Sequence, residues 1–206
     1  MYNAMPSNGT NSTAAIIEAS VAGAEHILTL SGYAMYTVSM IGQDRSRVHF
    51  NVIDSDGAAE LQNEVMQDVY GFAGTTSNAV GQQVVIPASI WRTLIADRDS
   101  NGRKPVADPV ATDFLTRGDL RNVFLTTISG RKLFITTEGN FGIGPYSMNI
   151  GDLICLFPGA QVPFVLRQKP DVFPERFELV GECYCHSLMS GAKPGETRTL
   201  RKFHLV

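Results

Sequence analysis

Arg131-Lys132-Leu133-Phe134-Ile135-Thr136-Thr137-Glu138-Gly139-Asn140-Phe141-Gly142-Ile143-Gly144-Pro145 is the stretch on which the architecture turns. It sets β-branched and aromatic residues on both sides of Glu138-Gly139-Asn140, a composition suited to a tight turn between two short strands. Upstream, Val123 to Ile128 and Lys132 to Thr137 flank Ser129-Gly130, and the spacing predicts a hairpin there too. Downstream, Leu153 to Phe157 is an apolar run ended by Pro158-Gly159, and Val162 to Arg167 follows. Arg176 to His186 reads as the last long strand before a basic tail at Arg198 to His204. Short strands at near-regular intervals predict a small closed β-barrel.

Working towards the N-terminus, Ile27 to Ile41 alternates and is rich in β-branched and aromatic residues. Leu28, Leu30, Ala34, Tyr36, Val38 and Met40 are expected on one face, with Gly32 at a bend or bulge. Arg47 to Ile53 continues as extended chain. The middle changes period. Asp56 can cap a helix carrying Leu61, Val65, Val69 and Phe72, ended near Gly74. Pro87 opens a second helix with Ile90, Trp91, Leu94 and Ile95 as its apolar stripe. Asp108-Pro109 opens a third, through Phe114 and Leu115, stopped near Gly118. The expected class is α+β: a flexible segment over 1–25, then one barrel domain over 26–206 with a helical insertion at about 56–118. A short helix over Ala14 to Ala19, capped by Ser12 or Thr13, is the remaining N-terminal expectation.

Composition narrows the function classes. The 17 Lys and Arg are scattered against 20 Asp and Glu, and the net charge of −3 disfavours non-specific nucleic-acid binding. No apolar stretch is long enough to span a bilayer, and the N-terminus lacks the pattern of a secretory signal. Cys155, Cys183 and Cys185 have neither the number nor the spacing of a zinc site, so buried thiols in a reducing, cytoplasmic setting are expected. Gly139, Gly142 and Gly144 precede no helix and read as turn glycines rather than a phosphate loop. No metal or cofactor is implied.

Five landmarks recur together. They are Trp91-Arg92-Thr93-Leu94, the Arg131 to Pro145 stretch, Gly151-Asp152, Pro163-Phe164-Val165-Leu166-Arg167 and Leu179-Val180-Gly181-Glu182-Cys183-Tyr184-Cys185-His186. In order and spacing this set resembles the C-terminal barrel region of fungal heterokaryon-incompatibility proteins. The resemblance covers roughly Tyr33 to Gly191 and implies a barrel. It also implies that the incompatibility domain expected before this region is missing here.

On the last strand, alternation puts Glu178, Val180, Glu182, Tyr184 and His186 on one face. An acid, a phenol and an imidazole in a row could then surround one ligand, with Arg167 as a further donor. Tyr33, Tyr36, Trp91 and Arg92 are the candidate binding walls. Plainer roles stand beside each. Glu182 can pair with Arg167 or Arg131, and His186 can bond a carbonyl. Trp91 can be core, and Arg92 can pair with Asp97 or Asp99.

Two functions from different classes follow. One is a stand-alone small-molecule binder, a cofactor-independent cyclase or isomerase of fungal secondary metabolism, needing only an apolar cavity and one or two donors. Its partner would be a small apolar molecule. The other is an interaction or regulatory module whose partner is an incompatibility protein. An enclosed apolar pocket lined by the Glu182 face favours the first, and a solid barrel with an exposed apolar patch favours the second.

Overall fold

A computed structural model describes residues 17–22, 25–43, 55–76, 87–105, 118–189 and 198–206. Its described part is mostly β-sheet with three α-helices. In chain order these are β1 (Ile17–Ala22), β2 (Glu25–Ile41), α1 (Ser55–Thr76), α2 (Ala88–Leu94) and α3 (Gly118–Ile128). Then come β3 (Arg131–Thr136), β4 (Phe141–Pro145), β5 (Leu153–Leu156), β6 (Phe164–Gln168), β7 (Arg176–Glu182), β8 (Tyr184–Cys185), a 3₁₀ turn (His186–Leu188) and β9 (Arg201–Leu205). The helices lie between β2 and the later strands, the third running to Ile128.

Five strands form a barrel-like ring. β5 pairs with β6, β6 with β7, β7 with β9, β9 with β2, and β2 returns to β5. All these pairs are antiparallel except β7 with β9. The far end of β2 leaves the ring to pair with β3, which carries β4 and then β8. The 17-residue β2 is therefore the element common to both parts.

Side-chain alternation sorts the core into layers. Cys155, Leu166, Phe177, Phe203 and Leu205, with Leu30 and Ala34, fill the ring. Ile154, Leu156 and Val165 point the other way, onto Met35, Val38, Phe134, Cys183 and Cys185. Leu133, Ile135, Phe141 and Ile143 bury the outer side of β3 and β4 under the helices. The helical partners include Val65, Val69 and Phe72 of α1, Ile90, Trp91 and Leu94 of α2, and Phe124 of α3. The first two stripes lie where the sequence puts them.

Several expectations are corrected. Val123 to Ile128 is the end of α3 and not a strand, because Leu120, Phe124, Leu125 and Ile128 form a buried helical stripe. Ser129-Gly130 therefore turns a helix into β3, with Gly130 at φ +66°. The single apolar face of β2 does not persist, because bulges between Ala34 and Tyr36 and between Val38 and Met40 swing its side chains. Leu28 is left exposed while Met35 is buried. The register runs without a bulge as far as Gly32, where a Cβ would stand 2.8 Å from the Leu156 carbonyl oxygen and against the Phe157 ring.

Strand pairing starts at Ile17, so Ile17 to Ala19 belong to β1 and not to the end of a helix, whose earlier residues lie outside the described residues. The strand over Arg47 to Ile53 and the helix opened by Asp108-Pro109 lie outside the described residues. No helix of the described residues is long and apolar enough to cross a membrane.

Candidate functional site

The long last strand is broken where the candidate residues lie. Val165 faces Gly181 and Leu166 faces Leu179, so Val180 is extra and bulges from β7. The chain is interrupted again at Cys183, whose N–H donates to the Pro163 carbonyl at 2.9 Å, and β8 then pairs with β4. Cys183, Tyr184 and Cys185 are buried in succession. Glu182, Tyr184 and His186 therefore do not form one row on one face, and His186 opens the 3₁₀ turn.

Close approach of β4 and β8 explains Gly142, and the Met148 side chain packed against β4 explains Gly144. Gly142 and Gly144 lie inside β4, against the turn reading, and a Cβ on Gly142 would meet the Phe134 ring and the Tyr184 carbonyl. Only Gly139 serves the turn, at φ +79°.

Tyr184 and His186 still meet, with the phenol oxygen 3.0 Å from Nδ1 of the imidazole. They open onto different surfaces. His186 lines a cleft of about 190 Å³ with Ser187, Ile135, Phe141, Phe72 of α1 and Ile90 of α2. Tyr184 and Glu182 line another of about 370 Å³, with Ala96, Arg98, Arg131, Gln161, Val162, Cys183 and Met189. Glu182 is exposed and lies 3.6 Å from Arg131, one of the two partners expected for it.

Arg167 stands apart. Its Nε and Nη2 each donate to the buried Asp152 carboxylate at 2.9 Å, and Nη2 also donates to the Ser147 carbonyl at 2.7 Å. That bidentate bond raises the guanidinium's pKa and ties β6 to the loop before β5. The landmark Gly151-Asp152 thus serves the fold.

The binding-wall residues are dispersed as well. Tyr33 and Tyr36 are half-buried against the layer between ring and second sheet. The Arg198 guanidinium stacks over Tyr36, 5.2 Å from its centroid, and donates to the Ala34 carbonyl at 2.8 Å, where β2 bulges. Trp91 packs in the helical core. Arg92 pairs with the buried Asp97.

Residues that the sequence reading left out of the site are Arg98, Gln161, Val162 and Met189. The chain reverses after α2 with Ala96 and Asp97 both left-handed, at φ +47° and +53°, and this turn delivers Arg98 to the cleft. Two consecutive non-glycine residues in that region carry no obvious sequence signal.

A family model, the Het-6 beta-barrel domain, matches residues 91–206, more than half of the chain. The chain belongs to this family. The matched part begins at Trp91 in α2 and runs through four of the five ring strands (β5, β6, β7 and β9) and β3, β4 and β8, while the ring strand β2 precedes it. The chain is also similar to heterokaryon incompatibility protein 6, OR allele, of Neurospora crassa, at 32% identity over 82 residues. That match covers 40% of this chain and 12% of the relative, so the chain spans a small part of the relative's length. No solved structure matches it.

The three cysteines are free and buried. Burial pushes the thiol of Cys155 up to about 12 and that of Cys185 to about 11, and raises Cys183 well above the ordinary 9.0. No thiolate nucleophile is therefore available near neutral pH. Folding keeps these protons on where the unfolded chain loses them. The contribution is fully present below pH 9 and is lost as pH rises above it, by up to about 1.4 kcal/mol per pH unit for each thiol. Urea midpoints at pH 8 and pH 10 should fall less steeply for Cys155→Ala than for the parent chain. Thiol reagent at pH 8 should label none of the three until urea is added.

Proposed function

We propose that this Het-6 barrel is a non-enzymatic interaction or regulatory module related to heterokaryon incompatibility, with an incompatibility protein as its partner. The observation that carries this reading is the filled ring. Cys155, Leu166, Phe177 and Phe203 have no solvent exposure, and each ring strand sends apolar side chains into the same interior. A cofactor-free cyclase or isomerase would need an enclosed cavity around its substrate. The Glu182 face borders an open cleft instead, and Tyr184, His186, Glu182 and Arg167 do not converge on one point. An open, charged surface on a rigid, solid frame suits recognition of another protein.

The same reading takes the ring as a small closed barrel and residues 26–206 as one acting unit with the helices inserted. Three buried free thiols fit a reducing compartment, and cytoplasmic residence is part of the proposal. The likeness to heterokaryon incompatibility protein 6 supplies the partner class.

The test is capture of purified full-length heterokaryon incompatibility protein 6 by the tagged chain, followed by calorimetry. A complex of about micromolar affinity is expected, as for a transient interface of modest area. Deletion of the gene should leave the small-molecule profile of its host unchanged. No complex, together with loss of a metabolite and accumulation of its uncyclised precursor, would return the weight to a catalyst.

A further inference from the structure

The hairpin that joins β6 to β7 ends in a bare aromatic ring. Pro170 to Glu175 are all exposed, and within them Phe173 is 97% exposed and Val172 44%. Among the described residues no other large hydrophobic side chain is as bare, and Ile150 comes next at 63%. The fold makes no use of this ring, since Phe177, four residues on, is fully buried beside Phe203 and fills the interior from β7. The tip is braced at its base. The Lys169 N–H donates to the Arg176 carbonyl at 2.8 Å, which closes the hairpin below the tip. The Gln168 side-chain amide donates to Glu175 at 3.1 Å, and Lys169 pairs with Glu178 at 2.8 Å. Asp171 takes a left-handed turn position at φ +56°. A projecting ring on a braced turn gives up little freedom when a partner closes over it.

We propose that Phe173, with Val172 beside it, is an anchor that seats in an apolar pocket of a partner protein. The inference rests on the interaction-module reading above. The tip has the anatomy of an interface centre: one bare aromatic, with the polar residues Asp171 and Glu175 on either side as a rim. Area argues against two tips packed on one another. Two facing phenylalanines bury roughly 300–500 Å², well under the roughly 1,000 Å² of a stable interface. A lipid surface is too weak a holder, because even a myristoyl chain gives only marginal binding and one ring is smaller. A concave protein pocket surrounds the ring and excludes water around it, and there a single aromatic side chain contributes most.

The experiment has two parts, both on the full chain. Calorimetry with purified full-length heterokaryon incompatibility protein 6 should show Phe173→Ser binding at least about tenfold more weakly than the parent, with Phe173→Leu in between. The urea midpoint of Phe173→Ser should match the parent's, since the removed ring touches almost nothing. The second part titrates β-cyclodextrin, whose apolar cavity takes one phenyl ring, into the ¹⁵N-labelled chain. Shifts at the amides of Val172, Phe173 and Glu175 are expected in the millimolar range, and Phe173→Ser should lose them.

The two readings fail separately. Capture undiminished by Phe173→Ser would remove the anchor and leave the module. A fall in both capture and urea midpoint would assign the ring to the fold and overturn the proposal. Self-association in sedimentation, or binding to phosphatidylcholine–phosphatidylserine vesicles, that Phe173→Ser abolishes would give the ring another occupant and overturn it too. Absence of cyclodextrin shifts would mean that the ring is covered, with the same consequence. Cyclodextrin shifts as expected without capture of the incompatibility protein would leave the anchor and remove the assigned partner.

Discussion

Phe203→Ala is expected to lower the unfolding free energy by about 3–5 kcal/mol, measured by urea denaturation. Phe203 is fully buried on β9, where Leu30 faces it across the pair with β2. Its ring meets Phe157 edge-on with centroids 5.6 Å apart and Phe177 with centroids 5.2 Å apart. The Arg201 guanidinium covers it at 4.6 Å, closing the group from the solvent side. Truncation removes the ring's contacts and leaves a void among side chains held by five paired strands, which cannot collapse freely. Leu179→Ala, at an exposed position, should stay within about 0.5 kcal/mol and serves as the control. A loss below about 1 kcal/mol for Phe203→Ala would mean that the interior is loosely filled. That result would revive a ligand-holding ring and weaken the interaction-module reading.

The same residues show what could be read in advance. Apolar runs bounded by turn chemistry locate β3, β4, β5 and β6 within a residue or two, because short strands between glycine, proline and asparagine leave little freedom of assignment. The failure at Val123 to Ile128 is one of period. Its β-branched content favours a strand locally, and burial of Leu120, Phe124, Leu125 and Ile128 against the second sheet overrides it. That stripe was present in the sequence. Bulges were not. An inserted residue at Val180 or near Met35 reverses every later side chain, and no local composition announces it.

This is why the candidate row dissolves. Alternation carried Glu182, Tyr184 and His186 to one face, while the fold gives Glu182 and Tyr184 to one cleft and His186 to another. Pairings were easier to foresee than places. Arg92 with Asp97 and Glu182 with Arg131 are both legible as pairs of opposite charge, near in sequence or on facing landmarks. Arg98 was invisible because its position depends on a left-handed turn made by Ala96 and Asp97.

That turn makes the second large prediction. Asp97→Ala is expected to destabilise the chain by about 3–5 kcal/mol, because it removes a buried charge partner of a guanidinium held largely out of water. The Asp97 side chain is 1% exposed and that of Arg92 13% exposed, and Lys104 adds a longer contact at 3.7 Å. The backbone repeats the link, since the Asp97 N–H donates to the Arg92 carbonyl at 2.7 Å. Asp97→Asn should cost less, about 1–3 kcal/mol, because asparagine tolerates the left-handed backbone and keeps an acceptor for Arg92. Both variants loosen the turn that carries Arg98, and the asparagine variant should remain folded. If neither variant loses stability, the Arg92–Asp97 pair is not what fixes the turn. The Trp91-Arg92-Thr93-Leu94 landmark would then owe its place in the family pattern to Trp91 and Leu94 in the helical core.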